Sequence, residues 1–236
     1  MLVVISVGGS ILAKDLNPDS FISYANALST LAKEHRLVVV TGGGVAARNY
    51  INVARSVGAN EVVCDFIGID VTRLNAQLLI SALGNDAFPE PPRTYKDAGA
   101  ALTSSKIVVM GGVIPGQTTD AVSAILAEYL NADLMLIATS VDGVYSADPT
   151  TDPDAIRFEK MTAKELVNVV MSTEMKAGSK SPVDPLAAKI IERCGIETIV
   201  MDGSDPTAVS DVIMQEGVES EPVKGLHRRT RITGTR

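Results

Sequence analysis

Residues 111–120 (GGVIPGQTTD) combine flexible glycines with two threonine hydroxyls and an aspartate, a composition suited to binding an anion. The segment follows the apolar run 107–110 and precedes the amphipathic run 121–130, so it is predicted to join a buried strand to a helix. Backbone N–H groups, the hydroxyls and the helix N-terminus can all donate to one phosphate. The loop is therefore predicted to bind a phosphate group.

The same pattern of strand, glycines and helix occurs twice more, at residues 8–10 (GGS) and 42–44 (GGG). Three such turns indicate one ligand, or two, carrying several phosphates. Gly42, Gly44 and Ala47 also fit the dinucleotide fingerprint G-x-G-x-x-A, with Asp65 about 20 residues further on. A nicotinamide site and a purely structural turn therefore stay open as alternatives to a phosphate contact.

Two charged residues near the second glycine turn are candidates for ligand contacts. Arg48 is predicted to lie one turn into the following helix and to clamp an oxygen in the same cleft. Asp65 precedes a run, 66–83, whose apolar residues form one helical face. Asp65 is therefore predicted to cap that helix or to contact a ligand hydroxyl.

The segment 139–149 (TSVDGVYSADP) follows a predicted buried strand. Its Asp-Gly pair at 142–143 predicts a tight turn that carries Tyr145 back over the edge of the sheet. There the aromatic ring, with Thr139 and Asp148 nearby, could hold a purine base and its ribose. The alternative is that Tyr145 only packs against the turn.

Four further charged residues have both a structural and a functional interpretation. Asp120 and Asp184 are expected at or near helix starts, where acidic residues usually act as caps. Facing a cluster of phosphates, they could instead hold magnesium or orient donor side chains. Lys176 and Lys180 are predicted to lie in a flexible loop, either as phosphate contacts or as surface residues.

The composition excludes several classes of protein. The chain has 236 residues, of which 46% are hydrophobic, so it can form a core and is not a disordered protein. Its formal charge of −7 argues against nucleic acid as a partner. We expect no signal peptide and no membrane span, and hence a cytoplasmic location in which Cys64 and Cys194 are buried thiols.

The hydrophobic pattern predicts alternating strands and helices. Short runs rich in Val and Ile predict strands buried on both faces, at residues 2–7, 37–40, 107–110, 134–138 and 198–201. Helix starts are marked by Asn17-Pro18, Thr162 with Glu165, Asp184-Pro185 and Asp205-Pro206. The alternation predicts an α/β fold with a mostly parallel sheet covered by helices on both faces, and no linker divides the chain.

Together these motifs resemble the amino-acid-kinase superfamily and, within it, the UMP kinases of the archaeal type. The matching segments are GGS at 8–10, GGG-x-x-x-R at 42–48, DFIGI-x-x-TR-x-NA at 65–76, MGG-x-x-PG-x-TTD at 110–120, VDGVY-x-ADP at 141–149 and DPLAAKII at 184–191. Six motifs in this order cover nearly the whole chain. The DFIGI and GG-x-x-PG-x-TTD elements favour UMP kinases over acetylglutamate, carbamate, aspartate and isopentenyl phosphate kinases.

The resemblance implies a three-layer αβα sandwich formed by a single domain, residues 1–236. Its N-terminal part would form mainly the UMP side and its C-terminal part mainly the ATP side. It further implies Mg²⁺-dependent, direct in-line transfer of a phosphoryl group from ATP to UMP in pyrimidine biosynthesis. Assembly as a homohexamer is also implied.

The resemblance also assigns roles to individual residues. Those implied to hold ATP are Gly9, Ser10, Gly44, Arg48, Thr139, Tyr145 and Asp148. Those implied to hold UMP are Gly43, Asp65, Val113, Ile114, Pro115, Gly116, Gln117, Thr118 and Thr119. Asp120 and Asp184 are implied to be catalytic residues near the transferred phosphoryl group.

One position departs from the family pattern at the reaction centre. Many members carry a lysine two residues before the first glycine turn, where this chain has Ser6. The missing charge could come from Arg48, from magnesium, from Lys176 and Lys180, or from Lys14. Another small-molecule kinase of the same fold and a nucleotide-sensing subunit without turnover therefore remain alternative functions.

The C-terminal segment gives a weaker signal. Gly225, His227, Thr230 and Ile232 resemble the last strand of the family, but Arg229 stands where glycine is common. From the residues alone, the segment is expected to form an edge strand or a solvated terminus.

Overall fold

The computed structural model describes residues 1–149, 151–174, 183–216 and 227–234. Within these ranges the strands are β1 (Leu2–Val7), β2 (Arg36–Thr41), β3 (Ile107–Met110), β4 (Leu134–Thr139), β5 (Lys160–Thr162), β6 (Thr198–Asp202) and β7 (Arg229–Thr233). The helices before β4 are α1 (Gly9–Leu12), α2 (Pro18–Leu31), α3 (Gly44–Ser56), α4 (Glu61–Leu83), α5 (Tyr95–Ala101) and α6 (Thr119–Tyr129). Those after it are α7 (Ala163–Glu174), α8 (Pro185–Cys194) and α9 (Pro206–Glu216).

The strands form one mostly parallel sheet, as the sequence predicted. Its strand order is β3-β2-β1-β4-β6-β7-β5. Neighbours from β3 to β6 pair in parallel, whereas β7 runs antiparallel to β6 and pairs in parallel with β5. β1 therefore lies near the centre of the sheet, with β2 on one side and β4 on the other.

Helices cover both faces of this sheet. Val3, Ile5 and Val7 of β1 pack in one buried cluster with residues of α2, α4 and α9. Val4 belongs to a second cluster, on the opposite face, with residues of α5, α6, α7 and α8. Because successive side chains of a strand point to opposite faces, an apolar strand such as β1 supplies both clusters. The predicted α/β three-layer fold is confirmed.

Most of the predicted helix starts are confirmed by capping hydrogen bonds. The side chains of Asn17 and Asp184 accept first-turn backbone N–H groups at 3.0 and 2.9 Å. Thr162 and Glu165 form the reciprocal capping box, in which the backbone N–H of Thr162 donates to Glu165 at 2.7 Å and that of Glu165 to Thr162 at 3.2 Å. Asp205 accepts from the N–H two residues on, at 2.9 Å.

The prediction that Asp65 caps its helix is wrong. α4 begins at Glu61, and the side chain of Asn60 caps it by accepting from the backbone N–H of Val63 at 3.0 Å. Asp65 therefore lies in the second turn of α4. This placement frees its carboxylate for other partners.

The C-terminal part of the sheet also differs from the expectation. β7 is an inner strand, because the short strand β5, which the sequence pattern did not reveal, covers its outer side. Three residues are too few for a recognisable alternation of apolar and polar side chains. Gly225 lies outside the described residues.

One expectation based on composition needs correction. Cys64 is buried, but Cys194 is only half-buried. The segment Glu61–Asp86, which contains α4, is long and apolar enough to cross a membrane by length and composition alone. In this fold Leu79 and Ile80 of α4 are buried in the core, as in the core helix of a globular protein.

Candidate functional site

The three glycine turns converge at the carboxyl ends of the central strands. The backbone N–H of Gly8, after β1, donates to the carbonyl of Ala138 at the end of β4, and the N–H of Gly42, after β2, donates to Val7 of β1, both at 2.9 Å. The chain order around the sheet reverses at β1, since β2 and β3 lie on one side and β4 and β6 on the other. Open α/β sheets bind ligands at such a switch point.

A cavity of about 400 Å³ opens at this edge of the sheet. Of the residues predicted to contact ligands, those that line it are Gly9, Ser10, Gly43, Gly44, Arg48, Asp65, Ile114, Gln117, Thr118 and Thr119. The cavity thus brings together residues that the resemblance assigned to the ATP side and to the UMP side. The remaining walls include Ala47, Ile51, Gly68, Ile69 and Thr72, which sequence reasoning did not select as ligand contacts.

The missed wall residues follow a helical period. In α3 they occupy positions 47 and 51 around Arg48, and in α4 they occupy positions 68, 69 and 72 after Asp65. Residues three and four apart lie on one helix face, so each wall is the continuation of a predicted contact residue along its helix. That spacing is the signal that would have found them.

The first two glycine turns touch each other through their backbones. A Cβ atom on Gly9 would lie 2.1 Å from the backbone nitrogen of Gly44. Gly44 has a φ of +65°, and a Cβ atom there would lie 2.4 Å from the carbonyl oxygen of Gly9. Only glycine allows this approach. The N-terminal wall of the cavity is therefore made of backbone groups rather than side chains.

Polar side chains of α4 hold two of the turns in place. The side-chain amide of Asn75 donates to the carbonyl of Gly42 at 2.8 Å. The hydroxyl of Thr72 accepts from the backbone N–H of Gly112 at 2.7 Å. Both side chains are buried. α4 thus fixes the second and third glycine turns relative to each other.

The loop between β3 and α6 is bound on two sides. The backbone N–H of Gly116 donates to the carboxylate of Asp65 at 2.9 Å, and the hydroxyl of Tyr95 donates to the side-chain carbonyl of Gln117 at 2.5 Å. The hydroxyl of Thr118 caps α6. Val113, Pro115 and Gly116 belong to this loop but do not line the cavity. The loop therefore presents Ile114 and the residues from Gln117 to Thr119 to the cavity, while the backbone N–H of Gly116 attaches it to α4.

Asp120 and Ser6 meet beside the cavity, whose lining includes Thr119 but not Ser6, Asp120 or Asp184. The hydroxyl of Ser6 donates to Asp120 at 2.7 Å. Asp120 retains some exposed surface, but protein encloses its carboxyl group, and this burial raises its pKa from 3.8 to about 6. The negative charge of Asp184 raises that pKa further, while the Ser6 hydrogen bond opposes the shift. The two aspartates are therefore close enough to interact electrostatically.

Thr139, Tyr145 and Asp148 do not line the cavity and lie at or after the end of β4. Thr139 is the last residue of β4, and its carbonyl accepts from the backbone N–H of Gly203 at 2.9 Å. The phenol of Tyr145 donates to Asp142 at 2.7 Å. This second region adjoins the first glycine turn through the contact between Gly8 and β4.

The family comparison agrees with this geometry. The profile of the amino acid kinase family matches residues 1–202, most of the chain. The chain belongs to the amino acid kinase family.

Relatives within the amino acid kinase family are uridylate kinases. The uridylate kinase of Methanococcoides burtonii is 73% identical over 99% of this chain and 100% of its own length. That of Methanosarcina mazei is 63% identical over 94% of this chain and 96% of its own length. The crystal structure of uridylate kinase from Archaeoglobus fulgidus is 39% identical, with a TM-score of 0.85 over 99% of this chain and 100% of its own.

Membership of the amino acid kinase family and the fold exclude the nicotinamide interpretation of residues 42–47. The dinucleotide fingerprint opens a βαβ unit of about 30 residues. Here α3 is followed by α4, and the next strand begins only at Ile107. Asp65 lies within a helix, so its distance from the glycines does not reflect that unit.

The charge that replaces the first-strand lysine has one candidate in the described part of the cavity wall. Arg48 lines the cavity and is exposed to solvent. Lys14 is exposed beyond α1 and does not line the cavity. Lys176 and Lys180 lie outside the described residues. Among the residues described, no group of three or more His, Cys, Asp or Glu side chains forms a metal site of its own.

Proposed function

We propose that this protein is a nucleoside monophosphate kinase that transfers a phosphoryl group from ATP to UMP, forming ADP and UDP, in pyrimidine nucleotide biosynthesis. The observation that carries the proposal is 73% identity to a uridylate kinase over the full length of both chains. The cavity supports it, because glycine turns and helix N-termini line a site suited to several phosphates.

The two substrates are assigned to the two sides of the switch point. UMP binds Gly43, Asp65 and the loop from Val113 through Ile114, Pro115, Gly116, Gln117 and Thr118 to Thr119. ATP binds Gly9, Ser10, Gly44, Arg48, Thr139, Tyr145 and Asp148. Asp65 takes the ribose and Thr119 the acceptor phosphate. The contact between Gly9 and Gly44 supports this arrangement, because it places the first glycine turn, assigned to ATP, against the second glycine turn, whose Gly43 is assigned to UMP.

The transfer is direct and in line. A phosphate oxygen of UMP is already anionic, so the reaction needs no strong general base, and catalysis consists of positioning and neutralisation of charge. Backbone N–H groups of the glycine turns and the N-terminus of α6 supply fixed donors, each contributing on the order of 2–4 kcal/mol. Asp120 and Asp184 act as the catalytic residues that orient the groups around the transferred phosphoryl.

Magnesium fits the pair of carboxylates formed by Asp120 and Asp184. Mg²⁺ is usually held by one or two carboxylates together with substrate phosphates, and it does not require a complete protein cage. Asp120 and Asp184 are two interacting carboxylates that would hold it. When bound, the ion supplies positive charge to the phosphoryl oxygens, which Ser6 does not.

The enzyme assembles as a homohexamer in the cytoplasm. Large apolar side chains lie exposed along α3 and the first turns of α4, at Tyr50, Val53, Val57, Val62, Val63 and Phe66. Exposed apolar side chains concentrated in this way mark contact surfaces, and we assign this one to a second copy of the chain. Sedimentation velocity tests the assembly, with Val53→Glu expected to give smaller species.

The activity is tested by ADP release with ATP, magnesium and a panel of UMP, CMP, dUMP, AMP and isopentenyl phosphate. We expect turnover with UMP and little with AMP or isopentenyl phosphate. Asp120→Asn serves as the control for contaminating kinases and is expected to be inactive. A folded wild-type protein that binds UMP without releasing ADP would instead be a nucleotide sensor.

A further inference from the structure

Asp142 is the centre of a charged cluster beside the proposed ATP site. Its carboxylate accepts the phenol proton of Tyr145 at 2.7 Å. The same carboxylate lies 3.9 Å from the guanidinium of Arg157 and 3.6 Å from that of Arg228. The side chains of Asp142 and Arg157 are only 26% and 19% exposed, so solvent screens their interaction weakly.

The last strand holds the backbone of the same loop. The hydroxyl of Thr230 in β7 accepts from the backbone N–H of Val144 at 2.8 Å and donates to the carbonyl of Phe158 at 2.5 Å. Thr230 is fully buried. A Cβ atom on Gly143 would lie 2.5 Å from the Thr230 hydroxyl, so the loop passes directly against the strand. The course of the loop therefore depends on a residue 86 positions further along the chain.

Arg157 connects the charged cluster to the strand. Its guanidinium faces Asp142 and also donates to the backbone carbonyl of Arg229 at 2.5 Å. Residue 157 forms an isolated antiparallel bridge with Tyr145. One side chain thus contacts the loop carboxylate and the last strand, while its backbone lies next to that of the tyrosine.

The charges in the cluster favour a polyphosphate ligand. One carboxylate and two guanidinium groups leave a net charge of +1, in a protein whose formal charge is −7. Among the described residues, the Asp142 carboxylate without Arg157 would keep Arg228 as its one ion-pair partner, and the Arg228 side chain is 78% exposed. An incoming ATP would then approach a less compensated negative charge.

We propose that Asp142 and Arg157 are positioning residues that hold Tyr145 against the last strand and thereby set the affinity for ATP but not for UMP. The inference rests on the proposed function, which places ATP beside Tyr145. It assigns the C-terminal strand a role in recognition of the nucleotide donor. Neither Asp142 nor Arg157 is among the ligand contacts that the six motifs predict.

The test replaces Arg157 by Met, which keeps the length of the apolar stem and removes the charge and the donors. Arg231→Met is the matched control, because Arg231 lies in β7 but pairs with Glu197 and Glu216. For Arg157→Met we expect the KM for ATP to rise about tenfold, as for one lost charge-assisted hydrogen bond, with the KM for UMP changed less than twofold. For Arg231→Met, both KM values should stay within twofold of the wild type.

Direct ATP binding, measured by calorimetry, separates this inference from the proposed function. A wild type that binds ATP without turnover would contradict the function, while a weaker ATP affinity in Arg157→Met would still support the positioning role. Unchanged ATP affinity in that variant, or equal losses for ATP and UMP, would overturn the role. A wild type that binds no ATP would overturn both.

Two milder variants keep the test decisive if Arg157→Met does not fold. Arg228→Ala removes the exposed cation and Tyr145→Phe removes the phenol hydroxyl while keeping the ring. Each should raise the KM for ATP about threefold and leave that for UMP unchanged. Arg157→Lys should restore part of the ATP affinity, since it returns the charge without the forked donor geometry.

Discussion

Two parts of the proposed ATP site, a backbone side around Gly9 and Gly44 and a side-chain side around Tyr145, are constructed in different ways. Around Gly9 and Gly44 the protein brings backbone against backbone, and no side chain separates the two turns. Around Tyr145 it uses a network of side chains, in which Asp142 receives the phenol and two guanidinium groups. A site made of backbone groups in contact has no room for an added side-chain atom. In a site made of side chains, each side chain that is removed lowers the affinity for the ligand by its own contribution. Substitutions on the backbone side and on the side-chain side should therefore differ in the size of their effects.

The largest effect is expected at the backbone side, from Gly9→Ala. The new Cβ atom would lie 2.1 Å from the nitrogen of Gly44 and 2.6 Å from the carbonyl carbon of Gly42. Because both neighbours are backbone atoms, the two turns must move apart. We expect destabilisation of about 3 kcal/mol or more and loss of activity, measured by denaturant unfolding and ADP release.

The control for this substitution is Gly99→Ala in α5. There a Cβ atom would meet only the side-chain ends of Leu130 and Tyr129, both at 3.4 Å. Alanine also favours a helix over glycine by up to about 1 kcal/mol, so this variant should be at least as stable as the wild type. Equal stability of Gly9→Ala and Gly99→Ala would show that the glycine turns are not closely packed in solution.

Most of the framework of the backbone side could be predicted from the sequence. The buried strands and glycine turns are local patterns, and parallel strands bring their carboxyl ends to one edge whatever the details of packing. The order of motifs also identified the family. Arg48, Asp65 and Thr119 were found in this way, and all three line the cavity.

The side-chain network could not be predicted in the same way. Thr230 contacts a loop 86 positions away in the sequence, and Arg157 joins that loop to a strand residue 72 positions away, and neither follows a helical or strand period pointing to these contacts. The position of Asp65 was missed for a related reason, since a capping residue at Asn60 extended α4 by five residues before the apolar period became regular. Local patterns specify elements, but contacts between distant elements depend on how these elements pack.

An intermediate effect is expected at Asp120, the proposed catalytic residue. Its folded-state pKa of about 6 exceeds the unfolded value of 3.8, so the folded protein binds the proton more tightly. The unfolding free energy therefore falls as pH rises from about 4 to 6, by about 3 kcal/mol in total. Asp120→Asn removes this loss of stability, because asparagine carries no titrating proton. Urea unfolding of the metal-free protein should find the variant more stable than the wild type at pH 8 and equally stable near pH 3.5.

This comparison also tests the contact with Ser6. Ser6→Ala removes the hydrogen bond that opposes the rise of the Asp120 pKa, so the loss of stability should extend to higher pH in that variant. If Asp120→Asn is less stable than the wild type at every pH, burial does not destabilise the ionised carboxyl group of Asp120 in the folded protein. Activity should disappear in Asp120→Asn under all conditions. The charge of this carboxylate lowers the stability of the fold, but catalysis depends on it.

The smallest effect is expected from removing a single hydroxyl on the UMP side. Tyr95→Phe deletes the 2.5 Å hydrogen bond to Gln117, which attaches the UMP loop to α5, but keeps the ring. Burial raises the pKa of Tyr95, so the phenol is a neutral donor at working pH. We expect the KM for UMP to rise about threefold, equivalent to about 0.7 kcal/mol, with no change in the KM for ATP.

Tyr145→Phe is the equivalent variant on the ATP side, because it also removes a single phenol hydroxyl. If the UMP side and the ATP side are independent, the double variant should show both single effects, each confined to the KM of its own substrate. The free energies of the two effects should then add. A rise in the KM for ATP in Tyr95→Phe would show that the UMP loop and the Tyr145 loop move together. Steady-state kinetics with each substrate varied at saturation of the other distinguishes these outcomes, since independent sides change one KM and coupled sides change both.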